Sequence, residues 1–163
     1  MKSNISHKIK HREEPNDEFI TPIDLARSLV RLIPVKNKQK ILSAAYGTGN
    51  FYRVFPSDTK NLFTKDFFKW KEMVSWIIDN PPYSCLDEWL EHSADVCEEG
   101  FAYLLGLHNI TPKRIEFLEK KGFYITKIHL CKVFKWFGIS AFIVWEKNAS
   151  DRKIVDYDRI VWR

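Results

Sequence analysis

The chain has 163 residues, of which 45% are apolar and 29% charged, so it can build one packed core and is neither disordered nor fibrous. No apolar run approaches about 20 residues, the N-terminus lacks a signal-peptide core, and Cys85, Cys97 and Cys131 form no CxxC. The expectation is a soluble cytoplasmic protein without a membrane span, disulfide framework or metal site. The net charge of +5 is unevenly spread: residues 83–99 carry six acids and no Lys or Arg, while 1–82 and 100–147 each sum to +5. Two basic stretches suit a polyanionic partner, although a solvated basic face explains them equally well.

Residues 1–18 are polar and charged and read as a mobile arm, and 19–163 as a single domain. The spacing predicts a helix over 22–33 with Leu25, Ala26, Leu29, Val30 and Ile33 on one face. Thr21 is its expected N-cap, Pro22 its first residue, and Asp24 lies in the first turn. A strand over 40–45 runs into the turn Tyr46-Gly47-Thr48-Gly49-Asn50. Further strands are expected at 61–65 and 76–78, the latter stopped by Asn80-Pro81-Pro82. Residues 86–97 form an amphipathic helix with Leu86, Trp89, Leu90 and Val96 inward. A strand at 101–107, a helix at 112–121 closed by Gly122, and strands at 123–130 and 141–145 follow. Alternating strands and helices predict an α/β fold with a mostly parallel sheet. Ligands of such sheets gather beyond the carboxyl ends of the strands, where the turns 46–50 and 80–83 fall.

Asn80-Pro81-Pro82-Tyr83 is the most specific motif. Two prolines fix φ and remove two N–H donors, leaving a rigid turn whose carbonyls accept. Asn80 adds a side-chain carbonyl and Tyr83 a flat ring. Together they suit a planar amino group held by two acceptors with an aromatic face against its ring. Gly47-Thr48-Gly49 lets a ligand approach the backbone closely, but short glycine turns occur in many folds. Asp66-Phe67-Phe68 follows a strand. It can hold the edge and face of a nucleobase, or be an exposed acid beside two core rings. Thr21-Pro22 opens a helix whose N-terminus also attracts a carboxylate.

In order, Phe19-Ile20-Thr21-Pro22, Ala45 to Phe51, Asp66-Phe67-Phe68 and Asn80 to Tyr83 resemble the S-adenosylmethionine-dependent DNA adenine-N6 methyltransferases, over roughly residues 19–147. The resemblance implies a Rossmann-like methyltransferase fold and S-adenosylmethionine as cofactor. It implies that Thr21, Pro22, Tyr46, Gly47, Thr48, Gly49, Asp66 and Phe67 hold that cofactor. Asn80, Pro81, Pro82 and Tyr83 would hold the target adenine, with Phe134 or Trp136 joining Tyr83 in stacking on the flipped base. Lys113, Arg114, Lys132 and Lys135 are candidate phosphate contacts.

Three departures from the family pattern carry expectations of their own. Ser43 stands where the family carries an acid at the end of the first strand. Only 17 residues separate Gly49 from Asp66, which predicts a shortened or missing βα element. No stretch is left for a separate target-recognition domain, so loops, a specificity subunit or self-association would read the target. DNA is the expected partner. RNA adenine, a protein glutamine amide, or a non-enzymatic binding role are the alternatives.

Overall fold

The computed structural model describes residues 20–133 and 138–153. Helix α1 (Ile23–Val30) buries Ala26, Leu29 and Val30 and extends as turns to Ile33, where Pro34 forbids further helix. Its N-cap position is Pro22, not Thr21, and no side chain caps it. The Thr21 hydroxyl instead accepts from Asn80 Nδ2 at 3.3 Å, so a tertiary partner replaces the expected cap.

Strand β1 (Lys40–Ser43) is followed by a single 3-10 turn at Tyr52–Val54, and β2 (Lys60–Phe63) by another at Phe67–Lys69. No α-helix connects β1, β2 and β3 (Val74–Asp79), which is the shortening expected from the Gly49–Asp66 spacing. After β3 come α2 (Leu86–Val96), β4 (Cys97–Gly106), a 3-10 turn, α3 (Pro112–Lys120), β5 (Phe123–Cys131) and β6 (Ser140–Lys147). Strand β4 begins four residues earlier than expected. Cys97 pairs with Val74 there, and Gly100 leaves room for the ring of Trp76, which a Cβ would meet at 2.6 Å.

The six strands are ordered β2-β1-β3-β4-β6-β5, and β6 alone runs antiparallel. One face of the sheet packs against α2, α3 and Phe67; the other packs against α1, Phe51 and Phe55. From β1 the chain moves outward to β2, then crosses to β3 on the opposite side of β1. The carboxyl ends of β1 and β3 therefore flank a topological switch point, where a crevice opens. No helix of the described residues is long and apolar enough to cross a membrane.

Candidate functional site

Beyond the switch point lies a cleft of about 580 Å³, a volume typical of small-molecule sites. Thr21, Tyr46, Gly47, Thr48, Phe67, Asn80 and Pro82 line it, so four separate sequence motifs meet at one cavity.

The floor is the glycine turn. Gly47 and Gly49 have φ of 48° and 78°, in the left-handed region that favours glycine. A Cβ on Gly49 would lie 2.8 Å from the Tyr46 ring, which folds over it. That ring is held by Phe63, at 4.5 Å between centroids, and by Tyr52. Gly49 therefore shapes the turn from beneath and does not line the cleft.

Thr21 links the motifs. It is buried, its carbonyl accepts from Asn50 Nδ2 at 2.8 Å, and its hydroxyl accepts from Asn80. The start of α1, the glycine turn and the Asn80 turn are thereby joined. Pro22 is exposed and lies outside the lining.

The aromatic wall is Phe67 with Trp89, whose rings are 4.5 Å apart. His92 of α2 supports them, its ring 4.7 Å from Phe67 and its Nε2 donating to the Trp70 carbonyl at 3.0 Å. Asp66, adjacent to Phe67, is exposed and outside the lining. It pairs with Lys69 at 2.7 Å, which holds its carboxyl below the usual range. Tyr83 is half-buried and packs against the core on the α2 side, and it is not part of the lining. Pro81 is buried beneath the turn.

Asp79 is the residue that sequence reasoning missed. It is buried at the end of β3 and lines the cleft. Its carboxylate accepts from Ser43 Oγ at 2.6 Å, from the Ala45 amide at 3.0 Å and from the Asn80 amide at 2.9 Å. Burial pushes its carboxyl up to about 7, against the opposing pull of those three hydrogen bonds. An acid thus does stand at the switch point, on the strand beside the one where the family pattern has it. The legible signal was a carboxylate closing an otherwise apolar strand. Lys65 and Trp89 also line the cleft and were not read as site residues.

Of the expected phosphate contacts, Lys113 and Arg114 lie on α3. Lys113 Nζ and Arg114 Nε donate to the same Asp87 carboxylate at 2.8 and 2.6 Å, and Arg114 also donates to the Asn109 carbonyl. Both cations tie α3 to the acidic helix α2. Lys132 is exposed. Lys135, Phe134 and Trp136 lie outside the described residues. Among the described residues no group of three His, Cys, Asp or Glu is arranged to hold a metal.

No protein-family model and no curated protein matches the chain. Solved structures do. The Mtq2–Trm112 complex of E. cuniculi, described as methylating the eRF1 translation termination factor, matches with a TM-score of 0.61 at 13% identity, over 82% of this chain and 99% of that one. The N-methyltransferase NodS of Bradyrhizobium japonicum WM9, in complex with S-adenosylhomocysteine, matches with a TM-score of 0.60 at 9% identity over 88% and 96%. Magnesium protoporphyrin IX methyltransferase from Synechocystis PCC 6803, with bound S-adenosylmethionine, matches with 0.58 at 10% identity over 77% of each chain. At such identities the likeness is one of fold: the chain has the Rossmann-like fold of S-adenosylmethionine-dependent methyltransferases.

Proposed function

We propose that this protein transfers a methyl group from S-adenosylmethionine to the exocyclic N6 amino group of adenine in DNA. The observation that carries the reading is the convergence of the glycine turn and the Asn80-Pro81-Pro82-Tyr83 turn on one cleft, hydrogen-bonded to each other through Thr21 and Asp79.

The residues fit the cofactor. Gly47 keeps side-chain bulk off the floor, Phe67 and Trp89 offer an apolar wall for a nucleobase, and Asp79 is the acid of the lining. When bound, S-adenosylmethionine supplies a methyl group on a positively charged sulfur. Tyr46, Gly47, Thr48 and Thr21 would hold it, with Asp66 at the rim reaching the ribose only by leaving Lys69. The adenine amine is a poor nucleophile because its lone pair is delocalised into the ring. Asn80 Oδ1 and the Pro81 carbonyl would accept its two hydrogens and localise that lone pair on nitrogen. Asn80 and Pro81 would thereby present the amine nitrogen to the methyl group that the cofactor supplies when bound. The surplus proton leaves the amine for solvent. Tyr83, with Phe134 or Trp136, would stack on the base, which must leave the duplex to reach the cleft. Tyr83 has to turn from its core contact to do so.

RNA adenine or a protein amide presents the same planar nitrogen. Incubation with labelled S-adenosylmethionine and DNA, RNA and protein pools side by side tests the proposal. Label is expected in N6-methyladenine of DNA. Label confined to RNA or protein, or to none of them, overturns it.

A further inference from the structure

Asp79 has no assigned role in methyl transfer, yet beside Thr21 it is a second group through which the two halves of the cleft touch. It is buried, and it is the acid among the residues that line the cavity. Its two oxygens face different motifs. Oδ2 accepts from Ser43 Oγ and from the amide of Ala45, where the glycine turn departs from β1. Oδ1 accepts from the amide of Asn80, the first residue of the Pro-Pro turn.

Resting on the methyltransferase reading of this cleft, we propose that Asp79 is a positioning residue: one carboxylate holds the glycine turn and the Asn80 turn in a fixed register, so that cofactor and acceptor amine meet at bonding distance. Reaction rates depend steeply on such placement, because an error near 1 Å costs about 10²-fold. The ionised form does this best. It accepts on both oxygens from three donors, whereas a neutral acid directs its own proton at one of them.

Burial and hydrogen bonding act on this carboxylate in opposite directions. Burial pushes it up to about 7, and the bonds from Ser43, Asn80 and Ala45 pull it back. From β4, its register partner Tyr103 carries a phenol that burial holds well above the usual range and therefore neutral. Beyond β2, Lys65 enters the lining, while Asp66 is taken up by Lys69. On α1 the charges are Asp24 and Arg27, paired with each other on the exposed face. Strand β1 faces it with Ser43, and α2 contributes Trp89 to the lining, with the His92 ring behind Phe67.

The test uses the full chain, following backbone amide resonances from pH 5.5 to 8.5 and, in parallel, binding of S-adenosylhomocysteine and methyl transfer to DNA. The amides of Ala45 and Asn80 are expected to shift together with one midpoint near pH 7, and the transfer rate to rise through the same midpoint. Ser43→Ala removes a bond that favours the ionised form and should raise the midpoint by about one pH unit. Asp79→Asn should abolish the shared midpoint and slow transfer tenfold or more at pH 8. If that variant does not fold, the Ser43→Ala shift alone decides. Amides that titrate separately or not at all, or a pH–rate profile unchanged by Ser43→Ala, overturn the positioning role. Amides that titrate together in a protein that binds no S-adenosylhomocysteine overturn the reading of the cleft on which that role rests.

Discussion

Asn80 donates its side-chain Nδ2 to the hydroxyl of Thr21 at 3.3 Å, across 59 positions of sequence. This bond turns the Asn80 amide nitrogen toward the start of α1 and so orients the whole carboxamide. Asn50 secures the other side of the link through the Thr21 carbonyl. The threonine that a local reading assigns to helix capping is thus a strut between the two turns.

Asn80→Ala should lower methyl transfer by about 10²-fold or more, the scale for losing a preorganised contact to a transition state. Its side chain is only half-buried at a strand end, so folding should survive. Single-turnover rates with matched circular dichroism check this, and a variant with wild-type turnover removes Asn80 from the mechanism.

Asp66 and Lys69 test cofactor binding from opposite directions. Asp66→Ala should weaken S-adenosylhomocysteine binding if its carboxylate reaches the ribose. Lys69→Ala should tighten binding by a few-fold, because an exposed ion pair is weak and its loss frees the carboxylate. Calorimetry on both variants decides, and equal, unchanged affinities exclude Asp66 from the site.

Asp79 should make stability fall as pH rises from about 4 to about 7. An unfolded Asp ionises near 3.8 and the buried one near 7. Between those values the native state holds one more proton than the unfolded state, so the slope of unfolding free energy with pH is negative. Integrated over that gap the loss is at most about 4 kcal/mol, with no further change above pH 7. Urea unfolding at pH 4 and pH 8 measures it. The difference should shrink in Asp79→Asn; an equal difference in both proteins means the buried charge is not the cause.

Gly49→Ala should destabilise the fold by about 1–3 kcal/mol, since the residue is held at positive φ and its new methyl would strike the Tyr46 ring. The ring would be forced toward the cleft, and S-adenosylhomocysteine affinity should drop with stability. A methyl at Gly47 would meet only the Ala45 carbonyl oxygen, at an ordinary contact distance of 3.7 Å. Gly47→Ala should show the backbone strain without that collision. Thermal unfolding of the pair separates the two effects.

Asp87 holds the carboxyl end of an ion pair with both Lys113 and Arg114, and those cations keep its own carboxyl below the usual range. Asp87→Asn should release them. Duplex DNA binding should then tighten at low salt, its log–log salt slope steepening by about 0.9 for each phosphate newly neutralised. An unchanged slope would falsify any role for this face in DNA contact.

Much of the site was readable because its motifs are local. Two prolines rigidify a turn whatever surrounds them, glycines mark positive φ, and apolar spacing marks α2 and the strands. Set against the pattern of the resembled family, the spacing of Gly49 and Asp66 pointed to a shortened or missing βα element, and no α-helix joins β1 to β2. What no local pattern contains is which side chains face one another once β1 and β3 lie side by side. That pairing makes Ser43 and Asp79 partners across 36 positions and makes Thr21 a strut. It also sets Lys113 and Arg114 beside Asp87. Charge and hydrogen-bonding capacity are properties of single residues and are written in the chain. Their satisfaction depends on distances of about 3 Å, and only the packed sheet and its helices set those distances.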